Sequence, residues 1–159
     1  VRILASWLDE FGPISRAART PERLAEAMTG LGLAVESMTR VGLAVPGVVV
    51  ARVVRTERHP KADKVQRVWV DAGEGERHVW CGAFNMTAGD LVPLATLGTT
   101  MPDGREISRR EILGIASEGM LCSAVELGLG ADGGGIAILP PGLRLGRSVV
   151  AALRIAPDV

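Results

Sequence analysis

From Pro46-Gly47 onward the chain is cut into short runs rich in β-branched residues and punctuated by glycine, a texture that points to a sandwich or a small barrel. The runs are VVVARVV (48–54), VQRVWVDAG (65–73), ERHVWCG (76–82), LVPLATLG (91–98) and, after the turn Pro102-Asp103-Gly104, REISRREILG (105–114). In the second run Gln66, Val68 and Val70 alternate with Arg67, Trp69 and Asp71, the period-two pattern of one half-buried barrel wall. Five such strands in roughly 100 residues suit a five-stranded OB-fold barrel better than an immunoglobulin-like sandwich. Periodicity alone does not separate the two. A further strand is expected at GIAILPPG (135–142), followed by a short apolar helix at 149–153.

Upstream of this region the pattern is helical. Leu4, Trp7, Leu8 and Phe11 recur at helical spacing, as do Leu24, Met28 and Leu31. Thr20-Pro21 offers an N-cap followed by proline at the first helical position, Gly30 and Gly32 offer a left-handed exit, and Gly12-Pro13 breaks the chain between the two helices. The expected organisation is therefore mainly β with α: a small, incomplete helical unit at 1–40, a barrel domain at 41–150, and the start of a following segment at 151–159.

Of 159 residues 47% are apolar, enough for a buried core. No apolar run reaches the roughly 18 to 20 residues of a membrane span, and acids follow the opening apolar stretch where a secretory signal would stay apolar. A cytoplasmic protein without a membrane partner is expected. Two cysteines, Cys81 and Cys122, with no CxxC pair support neither a disulfide framework nor a zinc cluster. Net charge is zero, yet from Arg40 to Arg67 seven basic residues face two acidic ones, and both lysines of the chain, Lys61 and Lys64, sit in HPKADK (59–64). Such a cluster is either a solvated face or a footprint for phosphates.

Other chemistry finds little support. His59 and His78 lie in different segments without a carboxylate or second histidine at ligand spacing, so a structural role is expected of both. Ser117 and Ser123 lack a GxSxG elbow or a nearby base. The two cysteines lie in apolar runs and read as small buried hydrophobes. Asp132-Gly133-Gly134-Gly135 has no P-loop Lys-Ser/Thr and reads as a loop. With few aromatic residues a multi-aromatic single-strand binder is disfavoured, and Trp69 and Trp80 are expected to pack the barrel core.

Three ordered strings, HPKADK (59–64), CGAFN (81–85) and SEGMLCSAVELGL (117–129), resemble the tRNA-binding domain of bacterial phenylalanyl-tRNA synthetase β chains, of methionyl-tRNA synthetase extensions and of stand-alone tRNA-binding proteins. The opening VRILASWLDEF, GLAVES (32–37), GVVVARV (47–53) and the ELGL extension are similar to the synthetase β chain in particular. The resemblance runs from residue 1 to about 155. It implies an OB fold and a non-catalytic tRNA-binding module, with partners in tRNA, the synthetase α chain and the remainder of the β chain, and not in DNA. It implies no cofactor in this segment, ATP and magnesium serving the whole synthetase.

The implied RNA contacts are Lys61, Lys64, Arg67, Asn85, Arg109, Arg110 and Ser117. HPKADK is expected in the loop after the first strand, with Lys61 and Lys64 reaching phosphates and Asp63 orienting the loop. Asn85 and Ser117 are expected to cap turns or donate to the sugar-phosphate backbone. Two departures stand out. Relatives carry basic residues just before the equivalent of Gly114, where this chain has Glu111 and Leu113, and CGAFN replaces CGAPN. A protein-interaction module with little RNA contact, or a stand-alone tRNA-binding protein, is the alternative. The chain is also expected to be a fragment of a longer one.

Overall fold

The computed structural model describes residues 3–14, 20–42, 45–130 and 133–159. Val1 and Arg2 of the opening string, and Asp132 of the glycine-rich stretch, lie outside them. Two compact units emerge, Val1–Leu43 with Ala156–Val159, and Ala44–Ile155. The last four residues thus belong to the first unit, and the division falls after Leu43.

In the first unit α1 (Ala5–Leu8) is a single turn and α2 (Pro21–Gly30) runs ten residues. Thr20 stands at the α2 N-cap with Pro21 behind it, but its side chain makes no capping bond. Gly32, at φ +85°, closes the other end: Leu33 N–H donates to Met28 O at 2.9 Å and Gly32 N–H to Thr29 O at 3.0 Å, the paired bonds of a Schellman exit. Leu4, at the N-cap of α1, has no acceptor to offer. Asp158 supplies it from the far end of the chain, its carboxylate accepting from Ser6 N–H at 3.2 and 3.3 Å, while Val41 and Asp158 pair as an antiparallel bridge. Burial pushes the Asp158 carboxyl up, but hydrogen bonds from Ser6, Val159 and Ala5 outweigh it and hold it below the usual range. The expected apolar face is not buried here. Leu24 and Met28 are half-buried, whereas Trp7 is 51%, Leu31 82% and Phe11 90% exposed.

The second unit is the barrel. Its strands are β1 (Val48–His59), β2 (Ala62–Asp71), β3 (Glu76–Cys81), β4 (Leu91–Ala95), β5 (Arg110–Ile112), β6 (Ile115–Ser117) and β7 (Met120–Leu121), with α3 (Val149–Ala152) after them. Five form one antiparallel sheet in the order β3-β2-β1-β4-β7, and β5 pairs with β6 alone. The ends of the sheet meet where Glu118 N–H donates to His78 O at 2.8 Å, which closes an OB-like barrel.

Burial follows sequence. Gln66, Val68 and Val70 are buried and Arg67, Trp69 and Asp71 half-buried, so β2 shows one face to the core and one to the outside. Strand β4, apolar at every position, is buried at every position. Its Val92 and Leu94 join Val53, Val68, Val70, Val79 and Leu121 inside the barrel, while Leu91 and Ala95 face a second cluster with Val48, Val50, Met101, Ile107, Cys122, Leu127, Leu139 and Val149. A strand covered on both faces needs no polar alternation. Each fully buried valine is worth about 1.5 to 3 kcal/mol.

Two expectations are corrected. The stretch 105–114 is not the fifth barrel strand: Glu106 makes one isolated bridge to Thr100, and the strand proper is only Arg110–Ile112, whose partner is β6 across a two-residue turn. Met120–Leu121, a pair of residues, fills the fifth place. Nor is 135–142 a strand, since it makes one isolated bridge, Leu91 to Leu139. Gly119 lets β7 come close against β4. A Cβ there would lie 2.8 Å from Ala95 O and 3.0 Å from Leu94 Cδ1, at the point where β7 meets β4, and the backbone sits at φ +154°. Gly119→Ala is expected to lower the unfolding free energy by about 2 kcal/mol in urea titration. A loss below about 0.5 kcal/mol contradicts this placement.

Candidate nucleic-acid interface

Strand β1 is twelve residues long, and its partner β4 covers only Val48–Arg52. From Arg52 onward it pairs with β2, and the register shift between Val53 and Arg55 marks a bulge at Val54. Beyond the bulge Arg55, Thr56, Glu57 and Arg58 are all exposed. The hairpin ends in a two-residue turn, Pro60-Lys61, between the paired His59 and Ala62. Lys61 and Lys64 are exposed and have no acidic partner among the described residues.

HPKADK is therefore tighter than a loop: Lys64 lies within β2 and Lys61 at the turn. His59, not Asp63, braces it. Lys61 N–H donates to His59 Nδ1 at 3.2 Å, and the His59 ring stands edge-on to Trp80 with centroids 5.8 Å apart. Asp63 is exposed and makes no bond of its own among the described residues.

On the outer face of the sheet, cross-strand rows place Arg55, Trp69 and His78 side by side, then Glu57, Arg67 and Trp80. The Arg55 guanidinium carbon lies 3.4 Å from the centre of the Trp69 ring and that of Arg67 lies 4.5 Å away, both within cation–π range. Trp69 thus packs outside the barrel rather than in its core. Trp80 is buried, yet it too stands apart from both core clusters: the β5–β6 hairpin covers it, and its Nε1–H donates to Ile115 O at 3.0 Å. Arg58 lies 4.8 Å from the exposed Phe84 ring, giving the phenylalanine of CGAFN a cationic neighbour.

His78 locks this face. Its Nδ1–H donates to Ala116 O at 2.7 Å and its Nε2 accepts from Arg67 Nε at 3.3 Å, an arrangement that demands the neutral ring. Burial, assisted by the positive charges of Arg67 and Arg55, pulls its pKa below 6.5, although the Ala116 bond works the other way. Glu57 bridges the arginines at 3.8 Å from Arg55 and 3.6 Å from Arg67.

The remaining expected contacts divide sharply. Arg109 and Arg110 are exposed at the β5 side of the hairpin, separated from β2 by β6 and β3. Asn85 clasps one residue: its Oδ1 accepts from Ile136 N–H at 3.0 Å and its Nδ2 donates to Ile136 O at 2.9 Å. Ser117 is buried, accepting from Trp80 N–H at 3.1 Å and donating to Gly119 O at 3.1 Å. Both hold the barrel together. Ser123 and Glu126 form a reciprocal box, in which Glu126 accepts from Ser123 N–H at 2.8 Å and Ser123 Oγ accepts from Glu126 N–H at 3.3 Å. Cys122 is fully buried, and burial drives its thiol up to about 12. Arg55 and Trp69 were not among the contacts expected from sequence, although the outward place of Trp69 is written in its alternation with Val68 and Val70; His78 was expected to be structural, and it bonds Ala116 and Arg67.

Residues 48–148 match a domain family described as "Putative tRNA binding domain". The chain is 46% identical over 154 residues to the phenylalanine–tRNA ligase beta subunit of Anaeromyxobacter dehalogenans, covering 96% of this chain and 19% of that protein. It is 40% identical over 159 residues to the phenylalanine–tRNA ligase beta subunit of Syntrophus aciditrophicus, covering 100% of this chain and 19% of that protein. The chain thus spans about a fifth of the length of these relatives.

The His78 geometry fixes a pH dependence. The unfolded chain binds this proton more readily than the folded one, so the stabilisation present above about pH 6.5 is lost as pH falls through the lower folded value. An NMR titration of the imidazole is expected to give a midpoint below 6.5, and His78→Gln to flatten that part of the stability profile. A midpoint at or above 6.5 contradicts the neutral, twice-bonded ring.

Proposed function

The chain belongs to the tRNA-binding domain family, and on that premise we propose that it is a non-catalytic tRNA-binding module of a phenylalanine–tRNA ligase β chain, with the β1–β2 hairpin as its phosphate-binding element. The supporting observation is the pair Lys61 and Lys64, exposed on a braced turn and unpaired with any acid among the described residues. Lysine ammoniums so placed exchange water for phosphate at little desolvation cost, releasing counterions from the RNA. Arg55, Arg58 and Arg67 extend the positive surface along the same hairpin. Contacts of this kind set position and orientation and carry no base sequence.

Aminoacylation, with its ATP and magnesium, is assigned to other parts of the enzyme, and the α chain and the rest of the β chain are the protein partners this reading supplies. A cytoplasmic setting accompanies it. Among the described residues no helix is long and apolar enough to cross a membrane. A second role in protein contact attaches to the β5–β6 tip. Ile112 is 37% and Leu113 53% exposed there, and Leu113 holds a left-handed backbone at φ +53° in a turn with Gly114 at +74°.

Filter binding of tRNA across a salt series tests the phosphate role. Replacing Lys61 and Lys64 by alanine is expected to weaken binding and to reduce the slope of log affinity against log salt by about one per lysine. An unchanged slope and affinity in the double variant contradicts it.

A further inference from the structure

Resting on the RNA-binding reading, we propose that the outer face of β1–β2 holds a subsite for one unpaired nucleobase, stacked on the guanidinium of Arg55, which itself lies on Trp69. At 3.4 Å from the ring centre the guanidinium has room only to lie flat, so one of its planes is taken by the indole. The Arg55 side chain is 51% exposed, and its second plane is what remains open. Arginine planes and indoles are the surfaces on which splayed-out bases stack, and the stack tolerates any base because each has a π-face.

The subsite is preorganised. Trp69 is held edge-on by His78 with centroids 5.0 Å apart, and Arg67, only 23% exposed, is tied to His78 and to the same indole. Glu57 occupies the place of an anion between the two arginines. Its ion pairs at 3.6 and 3.8 Å are long and solvent-exposed, hence weak. The phosphate of the stacked nucleotide can replace it with shorter charge-assisted bonds. A duplex, whose bases are already stacked on each other, offers this surface nothing beyond its backbone. The ligand is therefore a single-stranded or looped stretch of RNA, anchored by its phosphates at the hairpin and by one base at Arg55.

Two probes of equal length and charge separate base from backbone: an oligouridylate of about eight nucleotides and its abasic counterpart. The protein is expected to bind the oligouridylate about tenfold more tightly, with quenching of tryptophan emission confined to the base-bearing probe. Trp69→Leu should bring the two affinities together, and Arg55→Lys, which keeps the charge and loses the plane, should reduce the preference while leaving the salt slope unchanged. Circular dichroism reports whether Trp69→Leu remains folded, and Arg55→Lys decides the matter if it does not. Equal affinity for both probes in the wild-type protein overturns the subsite while leaving phosphate binding intact. Full preference retained in Arg55→Lys also overturns it. Absence of binding to either probe and to tRNA removes the underlying RNA-binding reading instead.

Discussion

The change of partners along β1 is the constraint on which the rest of this molecule depends. Its first half pairs with β4, and there Ala51 faces the barrel interior while Val48 and Val50 face the second cluster. At the bulge the strand bends away, Val53 turning its N–H to Asp90 and its C=O to Gly89, and the second half continues with β2 as its one partner. Bulges add twist and re-aim side chains. Here the β1 arm runs clear of β4 with Arg55 to Arg58 all exposed, while β2 keeps Gln66 and Val68 buried.

That division of labour explains why the family's strings carry different kinds of information. In SEGMLCSAVELGL the residues serve the fold: Ser117 bonds the β3 backbone, Gly119 allows the close approach of β7, and Ser123 and Glu126 bond each other. In CGAFN the asparagine clasps Ile136. These strings specify a barrel. HPKADK alone among the three carries lysines, both exposed, and it is where the proposed phosphate contact is placed.

Much of this was legible in the sequence, for reasons that are physical. The alternation from Gln66 to Asp71 gave the correct inward face because a two-residue period leaves no other register. Strand β1 runs past the apolar run that ends at Val54 and stops at His59, before Pro60. The fifth barrel strand was not legible, since Met120 and Leu121 are too few to show a period and their place is set by Gly119 and by closure against β3. REISRREILG misled because its β-like composition serves a hairpin lying over Trp80 rather than a wall of the barrel. Trp69 and Trp80 were both assigned to the core on hydrophobicity, whereas alternation with Val68 and with Val79 already set them on the opposite side. Serine and asparagine in such a string do not announce whether their partner is a ligand or the chain's own backbone; only the fold reveals that Ser117 and Asn85 are already engaged.

We propose that one face and one hairpin meet RNA while the remainder of the barrel supports them. Amide chemical-shift mapping during titration with tRNA tests it most directly. Perturbations are predicted to concentrate at residues 55–69 and at His78 and Phe84, with residues 143–153 and the Ser123–Glu126 box unmoved. Shifts centred on α3 and its neighbours, with the hairpin silent, would contradict the account.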